Sequence, residues 1–138
     1  MIKLVIPGRP ISKSNFKLHN VNGQAWMPAK GKYSKYLAYE NMIAGYVNQQ
    51  YQGEQIEENL ITVMKLYFPN KKIGDLHNYP KSICDGLEKS GIIKNDKQLK
   101  PVMLFDFIDK ENPRVEIELY PASEYAIEYN IVKKDNEK

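Results

Sequence analysis

The nine residues from Leu60 to Phe68 constrain this chain more than any other feature. Leu60, Thr62, Met64, Leu66 and Phe68 alternate with Ile61, Val63, Lys65 and Tyr67, so an extended strand here is apolar on both faces. Such a strand must be covered on both sides, which predicts the central strand of a sheet, stopped by Pro69.

The flanking segments supply the cover. Ile2, Leu4 and Ile6 alternate with Lys3 and Val5 before Pro7 and Gly8, a first strand ended by a turn. Residues 12–32 read as a basic loop with isolated aromatics, Phe16 and Trp26, and a hairpin-turn signal at Asn22-Gly23. From Ser34 to about Tyr51, apolar residues at Tyr36, Tyr39, Ile43, Val47 and Tyr51 recur at helical spacing. Their tyrosines suit a half-buried helix face with hydroxyls in water, and a dimer contact or base-stacking surface is the alternative.

A second helix follows the central strand. Asn78 is placed as its N-cap, Pro80 lies in its first turn, Gly91 closes it, and Ile83, Cys84 and Leu87 form its buried face. Val102 to Ile108 and Arg114 to Tyr120 then alternate as two strands around a turn. The order strand, helix, strand, helix, strand, strand predicts one small α+β or mixed α/β domain with a mixed sheet and two main helices. Residues 122–138 are expected to be a C-terminal extension, an added strand or partly ordered tail, beyond a domain spanning 1–121.

Composition limits the function classes. A chain of 138 residues with 42% hydrophobic and 27% charged residues can build one core without disulfides or a structural metal. Cys84 is the only cysteine, which excludes an internal disulfide or a cysteine-based zinc cluster and suggests a reducing, cytoplasmic setting. The apolar run before Pro7 is too short for a secretory signal, and no stretch reaches a membrane span of roughly 20 residues. A net charge of +3 permits nucleic-acid binding without indicating it.

The chemistry concentrates between Gly74 and Asp96. Asp75 lies between a predicted strand and helix, and Asp96 lies just beyond that helix. Carboxylates at element edges suit a hard divalent cation acting on a phosphodiester. A helix of a dozen residues is roughly 18 Å long, so these acids converge only if the chain after Gly91 doubles back, with Ile92 and Ile93 as a candidate start. Lys81 and Asp85 share a helical face, either as an ordinary surface pair or with Lys81 near Asp75 and a phosphate. His77 reads as a metal ligand beside Asp75 or as a polar turn residue.

In register, Asp75, Asn78, Lys81, Asp85, Leu87, Gly91 and Asp96 resemble the signature of the RusA family of Holliday-junction resolvases. Residues 6–13 and 109–119 are also similar to members of that family. The resemblance implies a RusA-like fold and a homodimer that nicks four-way DNA junctions in pairs, in DNA recombination and repair, with magnesium or manganese. It implies Asp75, Lys81 and Asp96 as catalytic and Asp75 and Asp96 as metal ligands, with His77 as a further candidate ligand at a position where the family has an aspartate, and Asn78, Asp85 and Asn95 as supporting residues. Lys13, Lys17, Lys71 and Lys72 are candidate DNA contacts.

The sequence departs from the signature at two acidic positions, now His77 and Asn95. Imidazole suits manganese better than magnesium, and an asparagine carbonyl still accepts a hydrogen bond. The alternatives are a non-catalytic branched-DNA-binding relative with a degraded metal site and, more distantly, a small interaction module.

Overall fold

The Leu60–Phe68 segment is the central strand the pattern predicts. In a computed structural model, residues 1–13 and 35–135 are described in full, and between them only the backbone of 19–21, 24–26 and 32–34. The strands are β1 (Ile2–Pro7), β2 (His19–Val21), β3 (Gln24–Trp26), β4 (Leu60–Phe68), β5 (Leu99–Ile108) and β6 (Arg114–Pro121), with helices α1 (Lys32–Gln50) and α2 (Tyr79–Ser90). The main sheet has the order β1-β6-β4-β5. β6 is antiparallel to β1 and β4, whereas β5 is parallel to β4, so the sheet is mixed.

Register makes one face of this sheet the core. Leu4 and Ile6 of β1, Met64 and Leu66 of β4, and Val115 and Ile117 of β6 are fully buried beneath the two helices. On α1 the stripe is more buried than its tyrosines suggest. Tyr36 and Tyr39 are buried, and burial pushes the Tyr39 phenol up to about 12. That stripe is therefore a core face, and neither an open stacking surface nor one with both hydroxyls in water.

Residues 12–32, expected as loop, contain the short antiparallel pair β2-β3 on either side of Asn22-Gly23, with Val21 opposite Gln24. After β6 the chain turns at Ala122–Glu124 and forms neither helix nor strand through residue 135. The Ala122 N–H donates to Asn59 O at 2.9 Å, and Ser123 N–H to Glu58 Oε1 at 2.8 Å.

α2 packs closely on α1. Tyr79, Ser82, Ile83, Gly86 and Leu87 form its buried face, and Cys84 is only half-buried at its margin. A Cβ added at Gly86 would stand 2.6 Å from both Cβ and Cγ2 of Ile43, so the helices touch where Gly86 has no side chain. Gly86→Ala is expected to destabilise the fold by about 1–3 kcal/mol through overpacking, read as a lowered urea midpoint.

Candidate active site

The end of the sheet where β4 stops carries Asp75. Pro69 ends the strand, Gly74 takes a left-handed φ of 75° that favours glycine, and Asp75 begins a single 3-10 turn over Leu76–Asn78. Asp75 Oδ1 accepts from the His77 N–H at 3.1 Å, so Asp75 is the capping residue. Asn78, expected as N-cap of α2, is itself helical and makes no side-chain capping bond, because the 3-10 turn runs directly into the helix.

The first strand's exit loop braces this end. Lys13 N–H donates to Asn78 O at 2.9 Å, Ser82 Oγ to Ile11 O at 2.7 Å, and the Arg9 guanidinium to Lys72 O at 2.6 Å. Tyr79 Oη donates to Ile73 O from beneath. Asp75, His77 and Lys81 are exposed on this support, and exposed Lys71 and Lys72 are at the same end.

Asp96 is at the opposite end of α2. Gly91 closes that helix at φ 85°, and Ile93 makes a single parallel bridge to Ile56. A second 3-10 turn, Asp96–Gln98, then leads into β5. The chain doubles back as β5 only after Asp96, so Ile92 and Ile93 do not start the return strand that would bring the two acids together. Twelve residues of helix therefore separate the two acids' ends, roughly 18 Å. No three histidine, cysteine, aspartate or glutamate side chains among the described residues are grouped to hold a metal ion.

The Asp96 turn is held by residues that motif spacing did not single out. The Asp96 N–H donates to Glu88 Oε1 at 2.6 Å. Asn95 Oδ1 accepts from the Lys97 N–H at 2.9 Å, a capping bond that asparagine makes as readily as aspartate. Buried Gln98 accepts from the N–H groups of Lys94 and Asn95 and donates to the carbonyls of Ile56 and Glu58. Cys84 lies near this end. Burial pushes its thiol up to about 12, with the Asp96, Asp85 and Glu88 carboxylates adding to the effect, so it is no nucleophile at neutral pH.

Asp85 is tied to the N-terminal segment. Lys13 Nζ donates to Asp85 Oδ2 at 2.7 Å and to Glu40 Oε1 at 3.2 Å. Lys13, expected as a DNA contact, therefore holds its ammonium between two carboxylates and is only 17% exposed. Glu40 went unnoticed in the sequence, although a charged residue one position past Tyr39 interrupts the buried stripe of α1 and is itself 6% exposed. Lys17 is outside the described residues.

Known proteins match most of this framework. The sequence model of the family described as endodeoxyribonuclease RusA matches residues 7–120. The chain belongs to the RusA family. It is also 28% identical over 120 residues to the crossover junction endodeoxyribonuclease RusA of Aquifex aeolicus (strain VF5), covering 87% of this chain and 91% of that protein. The RusA match takes in only the last residue of β1, then the bracing loop, both ends of α2 and all but the last residue of β6, and it leaves the C-terminal residues outside.

Proposed function

We propose that the protein is a Holliday-junction-resolving endodeoxyribonuclease that acts as a homodimer with magnesium or manganese, in a cytoplasmic setting where Cys84 stays reduced. Membership of the RusA family carries this reading, and an in-register Asp75, Lys81 and Asp96 supports it. No described helix is long and apolar enough to cross a membrane. The non-catalytic alternative has less support, because the cap geometry at Asn95 is met without a carboxylate.

One chain does not by itself fit a divalent cation, since Asp75 and His77 are at one end of α2 and Asp96 at the other. A cation using Asp75 and Asp96 together therefore takes donors from two chains: Asp75 and His77 of one protomer and Asp96 of the partner subunit. Carboxylate oxygens with one imidazole suit manganese at least as well as magnesium. Such an ion would polarise the scissile phosphate. The protein's own contribution is placement. The 3-10 turn and the bracing loop fix the direction of Asp75, Gln98 and Glu88 fix the Asp96 turn, and exposed Lys81 offers an ammonium to charge developing on the phosphate. Two such sites related by a two-fold axis match a junction cut on two opposed strands.

The test is a labelled four-way junction beside a matched duplex, in each metal. Paired nicks confined to the junction and abolished by Asp75→Asn support the proposal, and junction binding without cleavage in either metal refutes it. Lys81→Ala is expected to lower cleavage about a hundredfold while leaving junction binding within a few fold. Equal losses in both would make Lys81 a phosphate anchor.

A further inference from the structure

Charge is unevenly laid out along this chain. Residues 1–39 carry seven of its 20 lysines and arginines and no aspartate or glutamate, Glu40 being the first acid. A stretch of one sign repels itself until an anion from elsewhere meets it. Lys3 meets Glu116, and Lys13 meets Asp85 and Glu40. Arg9 and Lys35 meet no carboxylate among the described residues, and residues 14–34 contain none to offer.

These two cations line one cleft of about 220 Å³, together with Ile11, Ser12, Tyr36 and Tyr79. Its walls are fixed in place. The Arg9 guanidinium donates to Lys72 O at 2.6 Å, which leaves its other N–H donors uncommitted among the described residues. The Tyr79 hydroxyl donates to Ile73 O and accepts from the Ser12 hydroxyl. Lys35 stands in the first turn of α1, where no residue is acidic and the helix dipole is already positive. Stability alone disfavours a lysine there, since a carboxylate would satisfy both the dipole and Arg9.

We propose that this cleft holds a backbone phosphate of the DNA, gripped by Arg9 and Lys35, on the strand whose neighbouring phosphate lies at Asp75. Two unpaired cations and a helix N-terminus converging on one cleft select an anion. Its position selects which anion. Lys72 and Ile73, whose carbonyls hold Arg9 and Tyr79, precede Asp75 by three and two residues, and on the other side the Lys13 N–H donates to Asn78 O. Three residues of chain span at most about 11 Å, and a DNA strand advances about 3.4 Å per phosphate. A strand lying on Asp75 therefore reaches the cleft within roughly three nucleotides. Such a contact positions the strand without reading its sequence. The inference rests on the DNA-cutting reading above for the identity of the anion.

The experiment reads binding to a four-way junction without divalent metal, so that nothing is cut. Arg9→Gln and Lys35→Gln are each expected to weaken binding about tenfold near 0.1 M salt. Lys3→Gln removes the same charge from the sheet face away from the helices and should leave binding unchanged. Because both cations grip one phosphate, the double variant Arg9→Gln with Lys35→Gln should lower the slope of log K against log salt by about one, not two. Uncharged methylphosphonates placed singly around the branch point should reveal one position that weakens the wild type and leaves the double variant unmoved. Lys35→Glu separates binding from folding: its urea midpoint should rise, because the new charge suits the helix N-terminus, while junction binding falls. Lys35 makes no side-chain bond among the described residues, so its variants decide the question if Arg9→Gln, which gives up Lys72 O, does not fold.

Unchanged binding and slope in the double variant overturn the proposal, as does a methylphosphonate position felt equally by both proteins. So does a wild type indifferent to every methylphosphonate but displaced by a mononucleotide, which would mark a site for a terminal phosphate. Junctions held through this cleft but left uncut with metal would sink the nuclease alone. Junction cutting and binding untouched by these variants sink the cleft alone.

Discussion

Mixing two dead variants is expected to regenerate activity. Asp75→Asn and Asp96→Asn should each lose about a hundredfold or more of junction cleavage, since each removes a proposed ligand from every site. If the acids act from opposite chains, a mixed dimer has one site with both changes and one site with neither. Equal mixing with subunit exchange then restores about a quarter of the wild-type sites. Those sites make single nicks and not paired ones. If Asp75 and Asp96 acted within one chain, each protomer of the mixture would still lack one acid and recovery would be nil. A gel that separates single from paired nicks reads the difference directly. The outcome follows from the 12 residues of α2 that hold the two ends apart.

The second large effect concerns stability. Lys13→Met keeps the length of the side chain but leaves Asp85 and buried Glu40 without their shared cation. Stranding buried charge costs more than the pair contributes, and with Lys13 and Asp85 17% and 27% exposed the loss should lie at the lower end of the range for buried pairs, about 3 kcal/mol. The check is the urea midpoint, with Asp85→Asn added to the variant. Removing one of the stranded charges should recover part of the loss, and a strictly additive double variant would show that the pair is not coupled. The wild type carries a linked pH dependence. Burial pulls the Lys13 ammonium down, but its bonds to Asp85 and Glu40 outweigh this and hold its pKa above 10.5. A folded pKa above the unfolded one means that this stabilisation is complete below 10.5 and is lost as pH rises through the raised value. Lys13→Met should lack that alkaline dependence.

Pattern reached far into this fold where it was local. Alternation over Leu60–Phe68 was enough to predict a central strand, although only its first half is buried on both faces: Ile61 and Val63 are buried, whereas Lys65 and Tyr67 on the same face are half-exposed. Proline and glycine marked the ends of α2 for reasons belonging to the backbone alone: Pro80 in a first turn, Gly91 in a left-handed cap. Local chemistry misled at Asn78. A good capping residue there is passed over in favour of Asp75, whose 3-10 turn feeds the helix, and no propensity separates a helix that starts at once from one preceded by a turn. Glu40 and Gln98 were illegible for a different reason. Each satisfies partners 27 to 42 residues away, and a lone polar residue does not announce them.

The catalytic candidates divide in the same way. Residue types and spacing between Gly74 and Asp96 were sufficient to make Asp75 and Asp96 candidates, and the resemblance to RusA sequences added Lys81, because a motif is a property of order along the chain. Where those residues stand relative to one another is not such a property. The parallel course of β4 and β5 sends Asp96 to the far end of α2 and leaves β5 as an open apolar edge, since a parallel pair must carry the chain back the length of the sheet before it can return. Tertiary structure alone therefore separated Asp75 from Asp96 within one chain.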